Sequence, residues 1–424
     1  MDKQIRISAT GDSFIATKLS TCNDPLFLKL VEIIRSAEVR FTNCEVLIND
    51  FKGYPAVQSG GTYAGTDSYI ADELNWMGFN IVSRANNHAM DYREMGLMET
   101  TKNLDRVGII HAGVGAREPR YLETPKGRVA LISAASSFPM EARSGENRPD
   151  IQGRPGLNPI RYTVTINVPE EVFKNLIKIA MVMGLEVKED AEELRILGQR
   201  FKKSTEYEVK YEINKLDLEG NIKAIKDAKR MADYVIFSLH THERGKSLED
   251  TPKFIEDFAR RCIDDGVDVF IGHGPHVLRG IEIYKGKPIL YSLGNFIFQN
   301  DIIRKQPADL YERYGLNWNS TPADLYDARE KGSPEAIATG FKWFTEKAEY
   351  WESILAYMIM EEGKLMELRI YPVDLGQNRN RANRGRPTLA TGDKARKILM
   401  DIIRMSEKYG TRIKVKDDVG YIEL

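Results

Sequence analysis

The sequence predicts an α/β protein, because apolar strand patterns alternate with amphipathic helix patterns along most of the chain. The clearest unit begins with the apolar strand "DYVIFSLH" (233–240), continues with the amphipathic helix "KFIEDFARRCIDDG" (253–266) and ends with the strand "VDVFIGHGPH" (267–276). This order is typical of a βαβ unit with two parallel strands. The strands also end in polar residues, at the position where α/β sheets normally bind ligands.

The first third of the chain repeats the alternation. "QIRISATGD" (4–12) alternates apolar and polar residues and predicts a strand that ends at Asp12. "VRFTNCEVLI" (39–48) and "NIVSRANNHAMD" (80–91) predict two more strands, and "GRVALISAAS" (127–136) a fourth. Apolar residues at helical spacing predict helices over "LFLKLVEIIRSAEV" (26–39) and "SYIADELNWMGF" (68–79).

The C-terminal part continues with "KPILYSLGNFIF" (287–298), which predicts one further strand. "SILAYMIMEEGKLMELRIYPVDL" (353–375) predicts two strands joined at Glu362-Gly363. A helix is expected from about Asp393 to Tyr409, followed by a short strand-like tail.

Two stretches do not follow this alternation of strands and helices. Residues 165–230 contain two helical patterns and many charges, and they predict a helical insertion or cap. Residues 300–350 are rich in aromatics and contain "PADLY" twice, at 307–311 and 322–326, as two candidate helix starts. This second stretch is either a lid or a packed surface insertion, and we favour the insertion. We therefore expect a single domain over residues 1–424 that carries both insertions.

The composition narrows the function classes. The chain of 424 residues has 61 Lys and Arg against 62 Asp and Glu, a net charge of −1, which provides no general attraction to nucleic acid or an anionic membrane. The start, "MDKQIRISATGD", does not resemble a secretory signal, and no apolar run is long enough for a membrane span. Three cysteines without a CxxC pair fit a reducing compartment. We expect a cytoplasmic protein.

Side chains that can bind metal or transfer protons lie mainly at the predicted strand ends. Asp12, Glu45 and Asn87 lie there, and so do five of the six histidines: His88, His240, His242, His273 and His276. His111, in "GIIHAGVG", is the doubtful sixth. Oxygen and imidazole donors suit Zn, Mn or Fe, and the set is large enough for two ions. Paired ions lower the pKa of a shared water, and an uncoordinated histidine could protonate a leaving group.

Each residue alone also has an ordinary structural explanation. Asp12 after a glycine suits a turn, "NNH" suits a polar loop or a helix cap, and Glu45 suits a solvated strand edge. His273 and His276 form the strongest pair, and of His240 and His242 we favour His240 as the ligand. Arg154 and Arg161, in "GRPGLNPIR", suit either an anionic substrate group or surface salt bridges. The run "RNRANRGR" (379–386) is typical of a solvated loop.

Five segments together resemble the CapA family of poly-γ-glutamate capsule synthesis proteins, within the calcineurin-like metallophosphoesterase superfamily: "TGDSF", "FTNCEVLI", "RANNHAMDYREMGL", "VIFSLHTHE" and "DVFIGHGPHVLRGIEIYKGKPILYSLGNFIF". "GRPGLNPIRY" and "GRPTLATGDKARKIL" also resemble family segments. The resemblance implies a four-layer α/β/β/α sandwich with a binuclear metal site. It assigns metal ligation to Asp12, Glu45, Asn87, His240, His273 and His276, and the catalytic histidine to His88.

The sequence departs from the family pattern at several points. The superfamily's opening motif is Asp-x-His, but Phe14 stands at the third position here. The family often has His-Trp-Gly where this chain has His240-Thr241-His242. This change could add a metal ligand or reshape the substrate contacts, and we assign His242 to substrate binding. Several capsule relatives are membrane-anchored, whereas this chain shows no anchor.

We therefore expect a soluble, metal-dependent hydrolase of CapA type, with one or two Mn, Zn or Fe ions. Metal-bound hydroxide would attack a phosphoester or an amide such as a γ-glutamyl bond, in a small or peptide-like anionic substrate. Two alternatives stay open: a metal-assisted peptide epimerase on the same scaffold, and a non-enzymatic accessory protein in poly-γ-glutamate synthesis.

Overall fold

The structure, a computed structural model, describes residues 4–115, 117–188, 190–332 and 346–424. The chain divides into two compact units. The larger one comprises residues 1–159 and 221–424, and the smaller one residues 160–220.

Nine α-helices occur in the described residues: α1 Pro25–Arg35, α2 Ile70–Met77, α3 Arg93–Arg106, α4 Glu170–Val182, α5 Lys215–Lys229, α6 Lys253–Asp265, α7 Ala308–Arg313, α8 Pro322–Lys331 and α9 Gly392–Glu407. Helices α1 and α8 begin with a side-chain cap. The Asp24 side chain accepts hydrogen bonds from the amides of Leu26 and Phe27 and so caps α1, whose first residue is a proline.

The same residues form the strands β1 Ile5–Phe14, β2 Val39–Cys44, β3 Leu47–Ile48, β4 Gly65–Thr66, β5 Ile81–Ser83, β6 Ile110–Ala112, β7 Arg120–Thr124, β8 Gly127–Ala135, β9 Tyr162–Pro169, β10 Glu193–Ile196, β11 Gln199–Ser204, β12 Glu208–Ile213, β13 Tyr234–His240, β14 Val269–His273, β15 Leu278–Tyr284, β16 Lys287–Leu293, β17 Asn295–Phe298, β18 Glu352–Glu361, β19 Lys364–Asp374, β20 Thr388–Leu389, β21 Ile413–Lys416 and β22 Val419–Ile422.

The larger unit contains two large mixed sheets. The ten-stranded sheet has the order β21-β22-β19-β18-β1-β2-β5-β6, with β17 paired to β1 and β20 to β19, and the six-stranded sheet has the order β15-β16-β14-β13-β8-β7. Strands β1, β2, β5 and β6 run parallel, as do β8, β13, β14 and β16. The parallel strands of each sheet therefore end at a common edge.

One hydrophobic core contains side chains of both sheets. Ile7 and Phe41 of the ten-stranded sheet belong to the same buried cluster as Ile236 and Ile271 of the six-stranded sheet. Helices α1 and α2 contribute to a second cluster with Phe14 and other residues of the ten-stranded sheet. The packing fixes both sheets relative to each other and so positions the strand ends.

The predicted α/β class is confirmed, and so is the βαβ unit, since β13 and β14 are parallel and joined through α6. The four-layer sandwich stays a prediction. The single strand predicted over 287–298 is wrong, because two strands lie there. Gly294, with a φ of 71°, ends β16 of the six-stranded sheet, and β17 then pairs with β1 in the other sheet.

The smaller unit is a four-stranded sheet, in the order β10-β11-β9-β12, with helix α4. Phe173 and Ile177 of the helix pack with Val168, Leu194 and neighbouring apolar residues in a core of their own. The two predicted helical patterns of 165–230 correspond to α4 and α5, but the prediction of a helical insertion did not include the four strands. The extent of the insertion stays a prediction.

The stretch 300–350 contains α7 and α8, which begin at the two "PADLY" motifs. Leu310 and Leu325 are buried in one cluster with Tyr63 and Tyr92. This packing agrees with an insertion for α7 and α8, whereas residues 333–345 lie outside the described part of the chain. Every helix in the described residues is too short or too polar to cross a bilayer.

Candidate metal centre

Side chains from both sheets meet where the parallel strands end. Asp12 lies in β1 and Glu45 directly after β2, while His240 and His273 are the last residues of β13 and β14 and are paired across them. The Asp12 carboxylate bridges the sheets, since its Oδ2 accepts a 2.9 Å hydrogen bond from the amide of Gly274. Asp12, Glu45, His240 and His273 are fully buried.

The donor atoms of these side chains lie within the reach of one or two ions. Three groups have their ligand atoms within 4.8 Å of one another: Asp12–His240–His273, Glu45–His240–His242 and Asp12–Glu45–His276. His273 Nδ1 lies 3.4 Å from Asp12 Oδ1, and His276 Nδ1 lies 3.6 Å from Asp12 Oδ2. The groups overlap, so Asp12, Glu45 and His240 each belong to two of them.

Several hydrogen-bond acceptors of the cluster have no donor among the described residues. Both carboxylate oxygens of Glu45 and the amide oxygen of Asn87 are buried without a hydrogen-bond partner among the described residues. A buried acceptor without a partner costs about 1–3 kcal/mol. A cation would remove this cost, and the oxygen and imidazole donors suit Zn, Mn or Fe. The residues present therefore fit a metal.

Burial keeps several of the histidines neutral. It lowers the pKa of His240 well below its usual range, and the neighbouring His242 adds to the effect. Burial, and then the proximity of His276, lower the pKa of His242 to about 3. Burial also lowers the pKa of His276. Neutral imidazole is the form that binds metal.

The carboxylates respond to the same surroundings in opposite directions. Burial raises the pKa of Glu45 well above its usual value, and the charges of Asp12 and Asp91 add to this. Burial alone would raise the pKa of Asp12, but hydrogen bonding and charge from His273, together with His276, lower it overall. The histidines therefore stabilise the negative charge of Asp12, whereas the negative charge of Glu45 is not stabilised in this way.

Further side chains orient the candidate ligands. The amide of Asn43 donates to Asp12 Oδ1 over 2.7 Å, and Ser238 Oγ lies 2.7 Å from His273 Nε2, which leaves His273 Nδ1 facing the cluster. Asn295 Oδ1 lies 2.8 Å from His276 Nδ1. Such partners fix the tautomer and orientation of metal ligands.

His88 follows β5 beside Asn87 and is held by Asp91, whose Oδ2 lies 2.7 Å from His88 Nδ1. His88 is close enough to contribute electrostatically to the lowered pKa of His240 and His276. Phe14, which replaces the histidine of the Asp-x-His motif, makes an edge contact with the His88 ring at 5.4 Å. It packs at this position but offers no donor atom.

His242, which the sequence analysis assigned to substrate binding with a ligand role as the alternative, lies among the candidate ligands. Its Nε2 lies 3.0 Å from His240 Nε2, and both histidines belong to one group with Glu45. Residues two apart on an extended chain project to the same side, and this spacing could have identified His242. Asn43, Asp91, Ser238 and Asn295 were missed as orienting residues, since their roles depend on contacts distant in sequence.

The other predicted site residues have partners elsewhere. Arg154 Nε donates to the carbonyl of Arg143, and Arg161, in the smaller unit, forms an ion pair with the buried Asp217. His111 lies in β6, where its Nε2 is 3.1 Å from Asp105 Oδ1. Burial lowers the pKa of His111 to about 4.

The chain is similar to a described protein family and to several known proteins. The family model described as "Bacterial capsule synthesis protein PGA_cap" matches residues 6–300. The "Uncharacterized protein y4sH" of Sinorhizobium fredii is 40% identical over 98% of this chain and 92% of its own length. The "PGA biosynthesis protein CapA" of Bacillus subtilis is 25% identical over 72% of this chain and 66% of its own. A "Probable polyglutamine synthesis accessory protein" of Mycobacterium tuberculosis is 27% identical over 51% of this chain and 45% of its own length.

Proposed function

This chain belongs to the bacterial capsule synthesis protein PGA_cap family, and we propose that it is a metal-dependent hydrolase centred on the histidine–carboxylate cluster. The proposal rests on the buried acceptor oxygens of Glu45 and Asn87, which have no hydrogen-bond partner in the described part of the chain and lie among histidines that burial keeps neutral. A group of this kind is costly to bury without a cation. We further propose that the two sheets with their shared core are the inner layers of a four-layer sandwich.

The ligands in this proposal are Asp12, Glu45, Asn87, His240, His273 and His276, with His242 as an additional donor. Two ions fit the overlapping groups better than one, because Asp12 and Glu45 each form a group of their own with His240, one completed by His273 and the other by His242. Bound divalent ions would supply Lewis acidity and a nucleophilic water at neutral pH. Mn, Zn and Fe are the candidates.

His88 is the catalytic acid in this proposal. With its Nδ1 held by Asp91, the Nε2 is the nitrogen that is left to exchange a proton with a leaving group. Asp91 is itself fixed, because its Oδ2 also accepts a hydrogen bond from the amide of Ala64. The buried edge of Phe14 holds the ring from another side.

The proposed substrate is an anionic phosphoester or a γ-glutamyl amide. The Bacillus subtilis relative is named for PGA biosynthesis and the Mycobacterium tuberculosis relative for polyglutamine synthesis, and these names support a role in the synthesis of a polymer of glutamate or glutamine. The word "accessory" in one of them favours a second candidate, a non-enzymatic partner in that synthesis. The two candidates differ in one measurable respect, namely turnover.

Metal content tests the centre. The protein is purified with Mn, Zn or Fe supplied, and bound metal is measured by elemental analysis. We expect one to two ions per chain in the wild type and in His111→Ala. His273→Ala and His276→Ala should each lose most of the metal while keeping the circular dichroism of the wild type. Full metal content with early melting in both variants would instead show that the pair is structural.

Turnover tests the hydrolase. The metal-loaded protein is assayed on phosphomonoesters, phosphodiesters and γ-glutamyl peptides, with His240→Ala as the inactive control. The proposal is supported if the wild type hydrolyses phosphoesters or γ-glutamyl peptides and the His240→Ala variant does not. Binding of poly-γ-glutamate without any cleavage would favour the accessory role.

A further inference from the structure

A cavity lies in the larger unit, between the start of α1 and the loop that joins β19 to β20. It has a volume of about 350 Å³, and its lining includes Cys22, Asp24, Asn383, Arg379 and Arg386. None of these residues belongs to the candidate metal centre. The loop is the "RNRANRGR" segment, for which the sequence predicts a solvated surface.

The four arginines of this loop fall into two classes. Arg381 and Arg384 form ion pairs with carboxylates, including Asp301 and Glu330. Arg379 and Arg386 have no carboxylate within 4.0 Å among the described residues. The loop therefore neutralises two of its guanidinium groups and leaves the charge of the two that line the cavity uncompensated.

The fold holds these two arginines in place through neutral groups. Arg379 donates to the carbonyl of Arg386 over 3.1 Å and to Thr388 Oγ1 over 3.0 Å. Arg386 donates to the carbonyl of Ala382 over 3.1 Å, while its Nε is buried without a partner among the described residues. A buried guanidinium nitrogen without an acceptor is costly, and an oxyanion would satisfy it.

The remaining groups at the cavity are polar. Asn383 donates to Asn380 Oδ1 over 2.8 Å, so both amides are held in the lining. Asp24 is the acidic group there, and one of its oxygens is engaged in capping α1, where it accepts from Leu26 and Phe27. Two guanidinium groups against one carboxylate leave a positive balance in the cavity.

We propose that this cavity is an anion-binding site, in which Arg379 and Arg386 hold a carboxylate or phosphate group. Paired guanidinium groups match the planar or tetrahedral oxygens of these anions. The site is separate from the proposed hydrolase centre and does not depend on it.

Cys22 provides a local reporter of occupancy. It is part-exposed at the cavity, whereas Cys44 and Cys262 are buried. Burial also raises the pKa of the Cys44 thiol to about 11 and that of Cys262 well above its usual value, so both thiols should stay unreactive. Neutral iodoacetamide should therefore label Cys22 selectively, and a bound anion should slow that labelling.

The experiment measures labelling of the full chain in EDTA, with phosphate or acetate replacing chloride at constant ionic strength, beside calorimetric titration with the same anions. We expect a saturable slowing of Cys22 labelling, accompanied by heat of binding. Arg386→Gln and Arg379→Gln should each weaken the anion's affinity by roughly tenfold or more. Arg396→Gln, which removes an exposed charge on α9, should change nothing, and neither should His276→Ala in the metal centre.

The outcomes separate the possibilities. Protection by phosphate alone, or by acetate as well, supports the site and identifies the class of anion. Saturable protection that persists in His276→Ala shows that the site is independent of the metal centre, whatever the outcome for hydrolysis. The absence of both protection and heat in the wild type overturns the proposal. An equal loss in Arg396→Gln and Arg386→Gln also overturns it, since the effect would then be one of general charge.

Discussion

Glu45 is the residue at which the requirements of a metal site and of stability conflict. It is fully buried, both of its oxygens are without partners among the described residues, and its pKa is raised mainly by burial. In the metal-free protein an ionised Glu45 is therefore destabilising. A side chain of the same shape without charge should relieve that cost and, at the same time, remove the ligand.

We predict that Glu45→Gln stabilises the metal-free protein and causes the loss of most of the bound metal. A carboxyl with a raised pKa in the folded state binds its proton more tightly there, so stability falls as pH rises from about 4.3, the usual value of an unfolded chain, through the folded pKa. The increase in the free energy of unfolding caused by the substitution should grow over that pH range and reach about 1–3 kcal/mol. Urea unfolding in EDTA at several pH values measures it.

Glu73→Gln is the matched control for that prediction. Glu73 is also buried, but its oxygens accept hydrogen bonds from Leu19, Ser20 and the Ser20 hydroxyl. The same substitution should therefore destabilise the protein at position 73. A loss of stability at both positions would contradict the interpretation of Glu45.

His88 should separate catalysis from metal binding. Because Asp91 rather than the cluster engages its Nδ1, we predict that His88→Asn retains the metal and lowers hydrolysis by about 10²–10⁴-fold, the usual contribution of an acid–base group. Metal analysis and kcat on the same preparation test this. Loss of metal with loss of activity would make His88 a ligand instead.

At the scale of elements, the turn "GHGPH" joins the end of β14 to the start of β15 and carries two candidate ligands. Gly274 has a φ of 111°, and a Cβ there would approach the Thr241 amide nitrogen to 2.7 Å. Gly272 has an ordinary φ but allows the carbonyl of Tyr291 to approach closely. His276 itself has a φ of 59°, a strained value for a residue with a side chain.

We predict that Gly274→Ala weakens metal binding as well as stability, the latter by about 1–3 kcal/mol. The methyl group would push the turn away from Thr241 and disturb the amide that bonds to Asp12. Gly286→Ala is the control, because Gly286 has a φ of 75° but open space around its Cβ position. It should lower stability without changing metal affinity, and the two effects are read from urea unfolding and metal titration.

The elements that the sequence predicted well are those with a regular apolar period and a clear end. Strands β1, β13 and β14 and helix α9 have such patterns, and the polar ends of the three strands identified Asp12, His240 and His273 in the cluster. The patterns could not show that the chain leaves one sheet at Gly294 and enters the other, since both strands are equally apolar. They also could not show that Asn295 would lie beside His276, because that contact depends on the crossing.

At the scale of the whole molecule, the strands of the smaller unit were missed for a physical reason. The segments "QRFKKS" (β11) and "EVKYEI" (β12) have few apolar residues, because the inner strand β11 is only half-buried and β12 is an exposed edge strand. One face of this small sheet packs with α4. A short sheet of this kind resembles a charged loop in sequence, so the helices were the clearer signal.

The smaller unit should be dispensable for the metal centre. It has its own core, and none of the candidate ligands lies within residues 160–220. Tyr162 and Ile213 are directly paired between β9 and β12, so their Cα atoms are about 4.5–5.5 Å apart. A short Gly-Ser linker can therefore replace residues 163–212 without straining the chain.

We predict that this shortened chain folds, keeps the metal stoichiometry of the wild type and unfolds in a single transition. The retained ion pair of Arg161 with Asp217 and the hydrogen bond from the Asn214 amide to the Arg161 carbonyl should hold the new junction. Circular dichroism, elemental analysis and thermal unfolding measure the three properties. If the shortened chain folds but loses its metal, the smaller unit contributes to the centre. If it fails to fold even with metal supplied, the two units are not independent in stability.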